Sequence, residues 1–296
     1  MLPSQVTLVE VGPRDGLQNE ATPLSVATKV KLIRDLAAAG LRVIEAGSFV
    51  SPQWVPQMAD TAEVVQALER NPAHRYPVLV PNQRGLQDAL QSGCRDIAVF
   101  AAASETFSQK NIHCSITESL ARYAEVIAQA RAADCRVRGY VSCVLGCPYE
   151  GEIALSAVTE VADQLYQLGC EEISLGDTIG VGTPEKAKKM LGAVAEKIPL
   201  EHLAVHFHDT YGQALANIYA CLTLGVSTVD SSVGGLGGCP YAPGAAGNVA
   251  TEDVVYMLEG LNIEHGVNLN ALVKISRAIA AELKHPPRSK VAQALK

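Results

Sequence analysis

The chain has 296 residues, 48% hydrophobic and 19% charged, so it holds apolar material for a large core and lacks the signature of a disordered segment. A formal net charge of -7 with scattered Lys and Arg excludes a nucleic-acid footprint, and any anionic ligand must be held by a local site rather than by the overall field. Eight irregularly spaced cysteines read as free thiols of a reducing compartment. With no signal-like start and no apolar run near the ~18 residues of a membrane span, a cytoplasmic protein with no membrane partner is expected.

In chain order, strand candidates fall at Thr7 to Val11, Arg42 to Ala46, Tyr76 to Val80, Asp96 to Ala101, Arg136 to Cys143, Glu172 to Leu175, Leu203 to His208 and Val226 to Ser231. Between them lie amphipathic helix patterns such as Ser25 to Ala39, Thr117 to Ala133 and Pro184 to Lys197, opened by Ser, Thr or Pro as helix starts are. Gly40, Gly93 and Gly169 stand where three helices should stop, each just before a strand. A strand-helix unit recurring every ~30 to 35 residues is the rhythm of a parallel sheet. Eight units without a Gly-rich dinucleotide turn after the first strand favour a closed (β/α)8 TIM barrel over an open sheet. A single catalytic domain over residues 1–296 is expected, with extra C-terminal helices from about Asn248, at Thr251 to Gly260 and Leu269 to Leu283. The basic, Pro-containing end is expected to pack at the barrel mouth or to stay mobile.

Reacting groups of such a barrel sit at the C-terminal ends of its strands. There the sequence puts Arg14 and Asp15 after the first strand, Glu45 and Ser48 after the second, Ser142 and Cys143 after the fifth, Asp177 and Thr178 after the sixth, and His206 and His208 on the seventh. Side chains two apart on a strand face the same way, so both imidazoles can reach one cation. With Asp15 and the amide of Asn248 they make a mixed N/O set suited to Mg or Mn. Glu45 and Asp177 either touch the reacting groups or orient a histidine or Arg14. Cys143 and Cys147 form a C-x3-C pair that lacks a second pair, and core packing explains it better than zinc. Six glycines in the fourteen residues Gly234 to Gly247 imply a loop with special backbone angles, and Cys239 is its candidate for proton transfer.

The runs Gly12-Pro13-Arg14-Asp15-Gly16-Leu17-Gln18-Asn19-Glu20, Ser48-Phe49-Val50-Ser51-Pro52, Gly176-Asp177-Thr178-Ile179-Gly180, His206-Phe207-His208-Asp209 and Gly235-Leu236-Gly237-Gly238-Cys239-Pro240 closely resemble the hydroxymethylglutaryl-CoA lyase family, over nearly the whole chain. The resemblance implies an acyl-CoA substrate, a homodimer and a divalent metal held by Asp15, His206, His208 and Asn248. It implies that the metal chelates the substrate, that Asp15 or His206 takes the hydroxyl proton, that Arg14 stabilises the enolate and that Cys239 reprotonates it. Glu45 resembles the family's catalytic-site glutamate. Gln18, Ser48, Ser142, Asp177 and Thr178 are expected at the substrate, and Arg138 and Ser174 fall at matching positions. Where many members have Lys after Asn-Glu, this chain has Ala21, and its end lacks the cysteine of eukaryotic members. A lyase for a related thioester and a condensing enzyme of the isopropylmalate synthase type are the rival activities.

Overall fold

The computed structural model describes residues 1–238 and 247–295. Among them one all-parallel sheet contains β1 (Thr7–Glu10), β2 (Val43–Ile44), β3 (Gly47–Ser48), β4 (Val78–Leu79), β5 (Asp96–Ala102), β6 (Arg136–Ser142), β7 (Glu172–Asp177), β8 (Leu203–Phe207) and β9 (Thr228–Ser231), in the order β2-β1-β9-β8-β7-β6-β5-β4-β3. The two ends of that order are consecutive pieces of one extended run. Between them the Glu45 amide donates to the Glu10 carbonyl and the Ala46 amide to the Pro77 carbonyl, both at 2.9 Å. That run therefore bonds to β1 on one side and to the β4 segment on the other, and the sheet closes into the expected barrel of eight staves.

The stave expected over Tyr76 to Val80 contains a strand of only two residues, Val78–Leu79. Pro77 and Pro81 bracket it, and neither has an N–H to give to a ladder. Helix starts follow from local chemistry. Ser25, Asn82, Ser104 and Asn268 each accept a backbone N–H from three residues on, and Ser115 with Glu118 forms a reciprocal capping box. Gly40, Gly93 and Gly169 all have φ between 89 and 110°, the left-handed conformation expected after the helices they follow.

Alternation along the strands decides what each face does. Val137, Val141, Ile173, Leu175, Val205, Phe207 and Val229 join the core between sheet and helices with Ile33, Leu36, Ile127 and Leu165. Burying each such side chain contributes about 1.5–3 kcal/mol. The neighbours that alternate with them, Arg138, Tyr140, Ser174, His206 and Asp230, turn into the barrel and are polar and buried. Barrel interiors of this kind are ordinarily filled with branched aliphatic residues. An interior of charged groups sets stability aside in favour of a chemical task.

Beyond the barrel, helices Thr251–Gly260 and Leu269–Leu283 occupy the spans expected for them. The end of the chain packs rather than hanging free. Ser289 caps a short helix, Lys290–Ala294, and the Arg288 amide donates to the Gly234 carbonyl at 2.8 Å. No helix among the described residues is long and apolar enough to cross a membrane.

Candidate active site

The chain leaves β1 through the tight turn Gly12–Gly16, with Pro13 fixing its first residues. Glycine is needed there for space: a Cβ on Gly12 would lie 2.5 Å from Glu10 Oε1, and one on Gly16 would lie 2.7 Å from Leu236 Cβ. The turn aims Arg14 and Asp15 across the C-terminal mouth of the barrel. Arg14 donates from Nε to Glu45 Oε2 at 2.7 Å and from Nη1 to Asp15 Oδ1 at 2.6 Å, which fixes the plane of its guanidinium. Glu45 is fully buried, and its other oxygen accepts the Tyr140 hydroxyl at 2.9 Å. It stands behind Arg14 and orients it, one of the two roles the sequence left open.

On the far side of Asp15, Oδ2 accepts Asn248 Nδ2 at 2.8 Å and lies 3.9 Å from His206 Nε2. One ligand atom each from Asp15, His206 and His208 lies within 4.8 Å of the others. Asn248 also gives Nδ2 to the Leu236 carbonyl, so its amine rather than its oxygen faces Asp15. His208 Nδ1 is buried with no hydrogen-bond partner among the described residues. A buried imidazole nitrogen without a partner is costly unless something else satisfies it. Two imidazoles and a carboxylate suit a hard or borderline dication, and the residues present fit such an ion.

The electrostatics are compatible. Burial alone would push the Asp15 carboxyl up, but Arg14 and the two histidines outweigh it and hold it at about 2. Burial and the neighbouring His206 push His208 down to about 4, which keeps it neutral and able to donate a lone pair. His206 moves the opposite way: burial lowers it, but the hydrogen bond and charge of Asp230, with Asp15, raise it above the usual imidazole value.

These groups form the floor of a cavity of about 700 Å³. Gln18, Ser142 and Thr178 line it, with Gln18 Nε2 donating to Asp15 Oδ1 at 3.1 Å and Thr178 Oγ1 accepting the Cys143 amide at 2.9 Å. Val50, Phe100, Phe107 and Ile112 supply apolar wall, while Lys110 and Arg122 are basic residues of the same lining. Two expected substrate contacts do not line this cavity. Ser48 is buried, and its hydroxyl sits between the Leu79 carbonyl and the Val50 amide. Asp177 accepts the Gly182 amide on Oδ2 at 2.8 Å, has no partner among the described residues for Oδ1, and is pushed by burial to about 6. Cys239 lies outside the described residues. Cys143 and Cys147 pack with Ala102 and Phe107 in a small apolar cluster, as the lone C-x3-C pair led one to expect.

Sequence reading passed over Tyr140 and Asp230. Both were visible in principle, because polar residues at every second position of strands meant to be buried on both faces, as in Arg136-Val137-Arg138-Gly139-Tyr140-Val141-Ser142, point into the barrel.

The family model described as HMGL-like matches residues 5–279. The mitochondrial hydroxymethylglutaryl-CoA lyase of Bos taurus is 60% identical over 99% of this chain and 90% of its own length. A Pseudomonas aeruginosa protein named 3-hydroxy-3-isohexenylglutaryl-CoA/hydroxy-methylglutaryl-CoA lyase is 58% identical over 99% of this chain and 98% of its own. The crystal structure of hydroxymethylglutaryl-CoA lyase from Pseudomonas aeruginosa superposes with a TM-score of 0.97 at 58% identity, covering 99% of this chain and 98% of that one. Barrel, mouth residues and full-length likeness agree, and the chain belongs to the HMGL-like family.

Proposed function

We propose that the chain is a divalent-cation-dependent carbon-carbon lyase that splits 3-hydroxy-3-methylglutaryl-CoA into acetyl-CoA and acetoacetate. The observation that carries this reading is the meeting of Asp15, His206 and His208 beside Arg14 on the floor of one cavity. Identity of 57–60% over 99% of this chain to enzymes named for that substrate supports it. Asp15, His206 and His208 would hold the ion, and Asn248, which presents Nδ2 to Asp15, would add its oxygen only with the amide turned over; the absence of thiolate from the set suits Mg or Mn. A dication there supplies Lewis acidity, lowering the pKa of a tertiary hydroxyl to within reach of a side-chain base.

Of the two candidate bases, His206 would have Nδ1–H on Asp230 and Nε2 on the ion, which leaves no lone pair for a proton, so the ionised carboxylate of Asp15 is the group able to take it. Removing the hydroxyl proton lets the C2–C3 bond break: the oxygen becomes the ketone of acetoacetate and the bonding pair passes to the thioester as an enolate. Arg14, fixed by Glu45 and Asp15, offers a buried positive charge to that oxygen. Cys239 would return a proton to the enolate carbon. Gln18, Ser142 and Thr178 would contact the acyl portion, and Lys110 and Arg122 would meet the anionic groups of CoA. On family likeness, the reading carries with it a homodimer acting in leucine degradation and ketone-body formation.

Incubating Mg- or Mn-loaded protein with the thioester should yield acetoacetate. His206→Ala and Cys239→Ala should lose turnover, the cysteine variant retaining substrate binding by calorimetry. No acetoacetate, or condensation of acetyl-CoA with a 2-oxoacid instead, would overturn the reading. The named activity of the Pseudomonas relative favours a second substrate, the 3-isohexenyl homologue, and the same assay run with it separates the two.

A further inference from the structure

We propose that Asp230, held by Arg138 and Ser174, is the positioning residue that fixes the tautomer and orientation of His206. The inference rests on the reading of His206 as a cation ligand. Asp230 stands near the end of β9, inside the barrel and 1% exposed. Its Oδ2 lies 3.2 Å from His206 Nδ1. It takes no part in the chemistry derived above and reaches no cavity-lining position.

Asp230 is itself immobilised. Arg138 meets it with both terminal nitrogens, Nη2 to Oδ1 at 2.6 Å and Nη1 to Oδ2 at 2.9 Å, and the Ser174 hydroxyl gives Oδ2 a further bond at 2.8 Å. Arg138 is anchored in turn by Glu172 at 2.6 Å and by the Tyr140 hydroxyl at 2.8 Å. A carboxylate so surrounded by donors stays ionised and can only accept. The nitrogen of His206 facing it must therefore carry the proton, which leaves the lone pair on Nε2, the nitrogen that faces Asp15. The edge of His206 also packs against the Tyr140 ring at 81°, so the imidazole is held on two sides. Among the described residues its partner His208 has no such carboxylate on Nδ1, which is without a hydrogen-bond partner there. The two imidazoles are thus supported unequally, and Asp230 is what distinguishes them.

Asp230→Ala removes the acceptor at Nδ1 and leaves the positive Arg138 beside it, while the Asp15 carboxylate still stands near Nε2, so the ring proton should move to Nε2. In metal-free protein at alkaline pH, ¹⁵N NMR of the His206 ring should show Nδ1–H in the parent and a population shifted to Nε2–H in the variant. Calorimetric titration with Mn²⁺ should show affinity weakened about 10- to 100-fold, the size of effect expected when the outer partner of a ligating histidine is lost. Should Asp230→Ala fail to fold, Ser174→Ala decides: it keeps the ion pair but removes one bond from Oδ2, and Mn²⁺ affinity should fall several-fold. An unchanged His206 tautomer with unchanged Mn²⁺ affinity in a folded variant overturns the proposal. If the parent binds no Mn²⁺, the cation reading fails instead, and the tautomer measurement still tests the role of Asp230.

Discussion

Arg14 is the residue on which the site's electrostatics turn, because it is bonded to two carboxylates, buried with Glu45 and beside the half-buried Asp15. Arg14→Ala would leave Glu45 with one partner fewer in a fully buried position and remove the charge meant for the enolate oxygen. The expected result is a loss of about 10²- to 10³-fold in kcat with a smaller change in KM, measured by steady-state acetoacetate release. Arg14→Lys should recover little, because one ammonium cannot reproduce the forked contact with Glu45 and Asp15. That Arg14, Asp15, His206 and His208 would gather at one mouth was legible in the sequence, since they lie where strands end. What they lean on was less so. Glu45 was singled out but its role left open, and Asp230 was missed because a single acid within an apolar strand names no partner until the register that sets β9 beside β8, with Asp230 opposite His206, is known.

At the scale of elements, the barrel rhythm was readable from end to end, whereas the two-residue strands were not. Prolines that remove ladder donors, and a stave whose bonds alternate between two neighbours, change strand length without changing the apolar pattern. The turn after β1 is the element most tightly fitted to its surroundings. Gly16→Ala forces a methyl to within 2.7 Å of Leu236, which leads into the glycine loop. We expect a loss of about 1–3 kcal/mol in urea unfolding, and reduced activity because Asp15 moves with the turn. The C-terminal helix was not foreseen: five residues carry too little pattern, and it is held by Asp253 accepting from Ser289, Lys290 and Val291 rather than by its own sequence.

Two buried acids give the whole molecule a pH-dependent stability. Burial raises Glu10 to about 7 and Glu252 to about 8, well above the ordinary carboxyl value, despite the amides and hydroxyl that donate to them. Because folding favours the protonated forms, their contribution is complete below the unfolded value and is lost as pH rises through 7 and 8. Thermal midpoints should therefore fall between about pH 5.5 and 8.5, with a limiting slope of roughly 1.4 kcal/mol per pH unit per group. Glu252→Gln should flatten the upper part of that fall. Cation binding acts in the opposite sense, since an ion held by β1, β8 and the segment around Asn248 ties together parts far apart in the chain. At 100 times its Kd it should add about 2.7 kcal/mol, visible as a higher melting temperature that chelator reverses. The most direct test of the central claim is to titrate chelator-stripped protein with Mn²⁺, following bound ion by electron paramagnetic resonance and acetoacetate formation in the same samples. The account predicts one ion per chain, cleavage rising in proportion to it, and loss of both in His208→Ala; stripped protein that cleaves at full rate, or a variant that binds Mn²⁺ as tightly as the parent, would contradict it.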